Sequence, residues 1–297
     1  MLIYLGLFIW RIGSGSGLVG LRTESGQHER KCSMGKSMWI KRHRACLAAV
    51  VFSLLSLPTW ASEPTIAAAA DLKFALDEVA QSFQKETGQS VKLTFGSSGT
   101  FATQIRHGAP FQMYLSADED YVLQLHAEGF TRDPGTLYAL GRIVLMAPPG
   151  SALAVDGELQ GLAAQLKAGK IKRFAIANPE HAPYGRRAEE ALKHAGLWEA
   201  IKPKLVLGEN VSQAAQFALS GSTQGGIIAL SLAQSPQLGP LGRYAVIPAE
   251  WHTPLRQRMV LLKNAGTTAQ AFYRYMQAPP ARAVMRRYGF ALTGSAR

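Results

Sequence analysis

Four segments of this 297-residue chain place small, hydroxyl or amide side chains where a short apolar run gives way to an amphipathic pattern. These segments are residues 68–71 (AAAD), 94–100 (TFGSSGT), 178–185 (NPEHAPYG) and 208–211 (GENV). The first amides of a helix have no partner within the helix and lie at the positive end of its dipole. Several such ends that face one point form a site for an anion without any charged side chain. The sequence therefore predicts an oxyanion site built from hydroxyl groups and main-chain amides.

The serine pair in the second segment has three readings. A nucleophile elbow, Gly-x-Ser-x-Gly around Ser98, needs a second glycine where this chain has Thr100. His107 follows in the same predicted helix and does not complete a catalytic triad. A plain loop of glycine and serine is the ordinary alternative. The position of Ser97 and Ser98, after a strand and at a helix start, favours anion binding.

Two other helix starts combine a capping residue with a free amide. Asn210 and Gln213 have the spacing of a capping box, in which Gln213 reaches back to Asn210. The Val211 amide is then free to bind a ligand, and a well-capped helix without a ligand is the alternative. Asp71 is a good capping residue, but its carboxylate would repel an anion. We expect Asp71 to cap its helix while the main-chain amides of Ala70 or Asp71 face the ligand.

The remaining polar residues exclude several classes of site. Tyr184 lies between Pro183 and Gly185 at a helix start, where its phenol either closes a polar pocket or packs in the core. The histidines after residue 61 lack paired or HxxxH spacing, so we expect no metal held by side chains. The sequence has no phosphate loop or dinucleotide fingerprint, and we expect no cofactor.

Residues 1–61 have the features of a leader. Residues 41–44 are basic, residues 45–57 are apolar, and residues 59–61 form a small-x-small cleavage site. The apolar part is shorter than the roughly 20 residues that a membrane span needs. We expect cleavage after Ala61 and export to the periplasm, with a retained N-terminal anchor as the alternative. Because a signal normally opens a chain, we expect translation to start at Met34 or Met38, with residues 1–33 a misassigned gene start.

Charge and cysteine content change when the leader is removed. Residues 1–61 hold eight of the 32 Lys and Arg and two of the 20 Asp and Glu, so the remainder has a net charge of +6. Its basic residues are dispersed, which argues against nucleic-acid binding. Cys32 and Cys46 also lie in the leader. The exported chain therefore has no disulfide and no thiol nucleophile.

Short apolar runs alternate with amphipathic patterns through the rest of the chain, which predicts an α/β fold with largely parallel sheets. The runs expected to form strands include residues 65–69, 143–147, 174–177 and 226–229. In such sheets ligands bind beyond the carboxyl ends of the strands. We expect one lobe from residues 62–143 plus 247–297 and a second from residues 144–246. Two crossings between lobes allow closure on a ligand by hinge bending.

Nine blocks in this order resemble the periplasmic molybdate-binding proteins of ABC importers, over nearly the whole chain after the leader. The blocks are residues 67–77, 95–105, 108–110, 115–118, 178–185, 203–205, 210–211, 271–275 and 287–290. The resemblance implies a type II periplasmic-binding fold, with two α/β lobes, a two-stranded hinge and a tetrahedral dianion in the cleft. In that family hydroxyls and main-chain amides hold the dianion without a cation.

The resemblance also implies the site residues: Ala70, Asp71, Ser97, Ser98, Tyr184, Val211 and Ala229. Ser98 supplies a hydroxyl and an amide, and Val211 supplies an amide. The first turn lacks the family's hydroxyl at Ala70 and Asp71. Some members carry a ligand tyrosine where this chain has Ala229, and Tyr184 offers a phenol instead.

Three functions follow as hypotheses. The first is a monomeric, non-catalytic receptor that delivers molybdate or tungstate to an inner-membrane ABC permease. The second is a receptor of the same fold for another oxyanion or a small organic acid, which is favoured if Asp71 faces the cleft. The third is a secreted serine hydrolase that uses Ser98.

Overall fold

The computed structural model describes residues 63–292. The leader, the cleavage site at Ala61 and the alternative start residues lie outside this range. Within it, no helix combines the length and apolar character required to cross a membrane.

Eleven strands and ten α-helices make up the described chain. The strands are β1 (Thr65–Ala69), β2 (Lys92–Gly96), β3 (Phe111–Ser116), β4 (Thr136–Gly141), β5 (Ile143–Ala147), β6 (Phe174–Ala177), β7 (Leu205–Gly208), β8 (Gly226–Ala229), β9 (Arg243–Val246), β10 (Leu255–Leu261) and β11 (Ala291–Leu292). The helices are α1 (Lys73–Thr87), α2 (Ser98–Arg106), α3 (Glu119–Ala127), α4 (Gln160–Lys167), α5 (Pro183–His194), α6 (Trp198–Ile201), α7 (Val211–Leu219), α8 (Leu230–Ala233), α9 (Thr267–Tyr275) and α10 (Pro279–Arg287). This alternation confirms the α/β class.

The strands form two sheets. The first has the order β11-β4-β10-β3-β1-β2, and the second has the order β7-β6-β8-β5-β9. β1 pairs in parallel with β2 and β3, and β6 pairs in parallel with β7 and β8. The remaining pairs are antiparallel. The expectation of largely parallel sheets is therefore wrong, because β5 and β10 enter their sheets against the direction of the parallel strands.

Local sequence explains the elements that lead into the site. All five residues of β5 are buried, as expected for an apolar run covered on both faces. α1 buries Ala75, Leu76, Val79 and Phe83, which lie on one helical face. It ends at Thr87, and the following Gly88 has a φ of 70°, a left-handed conformation that glycine adopts without strain.

The chain passes between the two sheets twice. Arg142 alone separates β4 in the first sheet from β5 in the second, and residues 247–254 connect β9 back to β10. Sheet membership thus changes close to the expected lobe boundaries. A hinged division into two lobes stays a prediction.

Candidate functional site

All four predicted turns line one small cavity at the carboxyl ends of β1, β2, β6 and β7. Its volume is about 10 Å³, roughly the space that one water molecule needs and far below that of pockets for drug-sized ligands. The lining residues are Ala69, Ala70, Asp71, Gly96, Ser97, Ser98, Ala117, Ala182, Pro183, Tyr184, Asn210 and Val211. The space therefore suits a small ion better than an organic substrate.

Ser98 is the first residue of α2, and its side chain is oriented by the neighbouring strand. Its Oγ accepts a hydrogen bond from the Ala117 amide at 3.0 Å, and its main-chain oxygen accepts one from the Tyr114 hydroxyl at 2.8 Å. Within residues 63–292 the hydroxyl proton of Ser98 has no acceptor, and its amide, at the first helical position, has no partner. Both groups are available as donors to an anion in the cavity.

Val211 offers a second free amide at the first position of α7. Asn210 caps this helix, because its Oδ1 accepts from the amides of Ser212 and Gln213 at 3.0 and 3.1 Å. The Gln213 side chain bonds the Glu209 amide at 2.7 Å, so the expectation that it returns to Asn210 is wrong. The Val211 amide is left unpaired among the described residues, at the positive end of the helix.

The Asp71 carboxylate does not cap a helix, which corrects the expectation from sequence. Its Oδ2 accepts from the Tyr184 hydroxyl at 2.9 Å and from Gln257 Nε2 at 2.7 Å. The Tyr138 hydroxyl donates to Gln257 Oε1 at 2.7 Å and thereby fixes the orientation of the amide. This buried chain of four side chains runs from Asp71 and Tyr184, which line the cavity, to Gln257 and Tyr138, which do not.

Burial controls the protonation of these groups. It raises the pKa of Asp71 from 3.8 to about 6, although the hydrogen bonds from Gln257 and Tyr184 and the nearby main-chain amides of Asp71 and Leu72 oppose the change. Burial and the nearby Asp71 charge raise the pKa of Tyr184 well above its ordinary value. The Tyr184 phenol therefore stays protonated and acts as a donor.

The close contacts around Tyr184 require a glycine on the adjacent strand. A Cβ at Gly141 would lie 2.4 Å from the Tyr184 hydroxyl and 2.8 Å from Gln257 Nε2. The end of β4 thus leaves room for two polar groups of the site.

A second set of contacts joins the turn after β2 to the turn after β6. The main-chain oxygen of His181 accepts from the Gly99 amide at 3.0 Å and also from the Ser97 hydroxyl. The His181 ring lies with Nδ1 3.0 Å from Ser97 Oγ. A Cβ at Gly99 would lie 2.6 Å from the same carbonyl, so the approach depends on glycine.

Charged side chains beside the cavity form a separate network. The buried Asp118 carboxylate lies 3.2 Å from Arg187, which also pairs with Glu190 at 2.6 Å. Arg186 donates to the Tyr121 hydroxyl and lies 4.0 Å from Asp118. None of these five residues lines the cavity.

The structure places the remaining candidates and adds others. Ala70 lines the cavity, whereas Ala229 is buried at the end of β8 and does not. Gln257, which bonds Asp71, and Ala117, which lines the cavity, were not among the residues expected from the sequence. Gln257 had a detectable signal, because Leu255, Gln257 and Met259 alternate along one buried face of β10.

Comparisons with known proteins agree with this geometry. Residues 64–291 match the family model described as Bacterial extracellular solute-binding protein. The molybdate-binding protein ModA of Azotobacter vinelandii is 36% identical over 242 residues, covering 80% of this chain and 94% of the relative. That of Rhodobacter capsulatus is 35% identical over 240 residues, covering 80% and 91%.

A solved structure extends the agreement to three dimensions. The periplasmic molybdate-binding protein of Azotobacter vinelandii has a TM-score of 0.71 at 30% identity, covering 77% of this chain and 99% of that one. The periplasmic-binding fold expected from the sequence is confirmed. The chain belongs to the bacterial extracellular solute-binding proteins, within the group of the molybdate-binding proteins.

Proposed function

We propose that this chain is a periplasmic receptor that captures molybdate or tungstate and delivers it to the permease of an ABC importer. The observation that carries the proposal is the small cavity at which the Ser98 hydroxyl and the free amides of α2 and α7 meet. Two relatives named as molybdate-binding proteins support the choice of ion. Capture and release need no covalent chemistry, so the ion is the cargo and no cofactor is required.

Selectivity in such a site comes from cavity size and from how the oxygens of the ion match the donors and acceptors of the cavity. Neutral donors bind any tetrahedral dianion, so a cavity shaped for long metal–oxygen bonds holds sulfate loosely. A protonated oxygen on the ion needs an acceptor, and an unsatisfied donor in a buried site is costly. We therefore expect molybdate and tungstate to bind more tightly than sulfate.

Hydrolysis by Ser98 has little support from the contacts. Ser98 Oγ accepts from the Ala117 amide, and no histidine is bonded to it within residues 63–292. Ser97 lies beside the His181 ring, but its hydroxyl donates to the His181 main-chain oxygen. That hydrogen bond leaves no proton for the ring to remove, so the pair lacks the geometry of an activated nucleophile.

Calorimetric titration with molybdate, tungstate, sulfate and phosphate tests the proposal. We expect Ser98→Ala to weaken molybdate binding about ten- to hundredfold, because a hydrogen bond to a charged group contributes about 1.5–3 kcal/mol. Thr103→Ala, which removes an exposed hydroxyl from the same helix outside the cavity, is the matched control and should leave binding unchanged. Absence of heat with both molybdate and tungstate would refute the proposal.

Asp71 supports a second candidate, a receptor for a protonated oxyanion such as hydrogen phosphate. The carboxylate belongs to a residue that lines the cavity, and its Oδ1 has no partner there. An ionised carboxylate in that position can accept a hydrogen bond from a protonated oxygen. Tighter binding of phosphate than of molybdate in the same titration would establish this candidate instead.

A further inference from the structure

The two oxygens of the Asp71 carboxylate have different surroundings. Oδ2 accepts two hydrogen bonds, from Tyr184 and Gln257. Oδ1 is buried and has no hydrogen-bond partner among the described residues. The residue is 1% exposed and lines the cavity. An unpartnered buried oxygen on a residue that lines a binding cavity points to a ligand or a proton that completes it.

No cation of residues 63–292 balances this carboxylate. The titratable groups nearest to it are the phenols of Tyr184 on α5 and Tyr138 on β4, the latter acting through Gln257. Lys73, two residues further along the chain, directs its ammonium group to aromatic rings and lies 5.2 Å from the centroid of Phe95. The other neighbours are uncharged: Gly96 of β2, Val211 of α7 and Ser231 of α8. The Ser231 hydroxyl donates to the Asp71 main-chain oxygen.

An oxyanion in this cavity would meet a like charge. A dianion held by Ser98 and Val211 shares the space with Asp71, and the buried setting screens their repulsion poorly. The Tyr184 proton is already donated to Oδ2, so this phenol does not compensate the dianion. A proton on Oδ1 neutralises the carboxylate and so removes the repulsion. The protonated Oδ1 can then donate a hydrogen bond to the ion.

We propose that Asp71 takes up one proton from solvent when the cavity binds an oxyanion dianion, and that the resulting Oδ1–H donates a hydrogen bond to the ion. This inference rests on the proposed function and specifies the charge state of the same site. The proton forms a bond to Oδ1, the protonated form of the buffer gives it up, and no other bond changes.

The electrostatics of the free protein agree with this step. Burial raises the pKa of Asp71 to about 6, so the carboxyl is largely ionised at pH 7.5 and close to gaining a proton. Bound dianion raises this pKa further. Binding coupled to one proton weakens tenfold for each pH unit above about 6 and becomes independent of pH below it.

Titration of the full exported chain with sodium molybdate measures the coupling. Calorimetry at pH 7.5 in Tris and in HEPES, whose ionisation enthalpies differ, gives the number of protons bound. We expect about one proton for the native protein and a tenfold rise in Kd between pH 7 and pH 8. For Asp71→Asn we expect no proton uptake and a Kd that does not change with pH.

A carboxylate outside the cavity provides the matched control. Glu250 is exposed and does not line the cavity, and Glu250→Gln should keep the uptake of one proton. The number of protons that the native protein binds tests the proposal even if neither variant folds. Infrared difference spectra of the native protein should also show a protonated carboxyl band when molybdate is added.

The outcomes separate this inference from the function. Molybdate binding by the native protein without proton uptake overturns the role of Asp71 and leaves the receptor function intact. Proton uptake that persists in a folded Asp71→Asn protein also overturns the role of Asp71. No binding of molybdate or tungstate between pH 6 and pH 8 overturns the function and the inference together.

Discussion

Replacing Asp71 with asparagine should stabilise the ligand-free protein in a pH-dependent way. Burial raises the pKa of Asp71 from 3.8 to about 6 against the hydrogen bonds of Gln257 and Tyr184. Because the folded protein holds this proton more tightly than the unfolded chain, ionisation destabilises the fold. The cost is absent below about pH 4, grows as the pH rises to about 6, and is constant above. It reaches about 3 kcal/mol, since a tenfold change in proton affinity is worth about 1.4 kcal/mol.

Urea unfolding followed by circular dichroism, without oxyanion, measures this effect at pH values from 4 to 8. The difference in unfolding free energy between Asp71→Asn and the native protein should grow by about 2.5 kcal/mol from pH 4 to pH 8, in favour of the variant, because a small part of the cost is already present at pH 4. Subtracting the native protein cancels the titration of distant carboxyls. Glu250→Gln, at an exposed site, is the control and should show a constant difference. A pH-independent difference for Asp71→Asn would refute the reasoning.

Three further substitutions test other parts of the site. Gly141→Ala should weaken molybdate binding in calorimetry and destabilise the fold by about 1–3 kcal/mol, because the alanine Cβ displaces the Tyr184 hydroxyl. Unchanged affinity and stability would contradict this. Arg187→Ala should cost about 3 kcal/mol in urea unfolding, because it leaves the buried Asp118 charge without its nearer partner; a loss below 1 kcal/mol would show that Arg186 replaces it. Asn210→Ala should cost about 1 kcal/mol by the same assay through loss of the helix cap, and no loss would contradict the capping role.

Strands with purely local signals were predictable from sequence. The runs at β1, β5, β6 and β8 were expected at the residues that the structure shows, because each is apolar and bounded by turn residues. β4 was not expected. Its six residues gain strand structure from antiparallel pairing with β10, more than a hundred positions later, and no local pattern reports that partner.

The difference between local signals and long-range pairing also separates the predicted residues of the site from the unpredicted ones. Helix starts carry local signatures, so the turns at Ser98 and Val211 were identified and do line one cavity. The partners of Asp71 were not identifiable, because Gln257 lies 186 positions away and reaches it through the register of β10. Buried hydrogen bonds between distant residues depend on tertiary packing, whereas capping depends on neighbours. The ion that fills the cavity stays a prediction.

The His181 carbonyl has a consequence for how this chain can diverge over evolution. Every residue type has a main-chain oxygen, so mutation at position 181 preserves the acceptor that Gly99 and Ser97 use. The restriction falls instead on the opposite turn, where any side chain at position 99 would collide with that oxygen. Among descendants of this sequence we expect glycine to persist at position 99 while position 181 drifts, so that the contact is inherited through the residue that has no side chain.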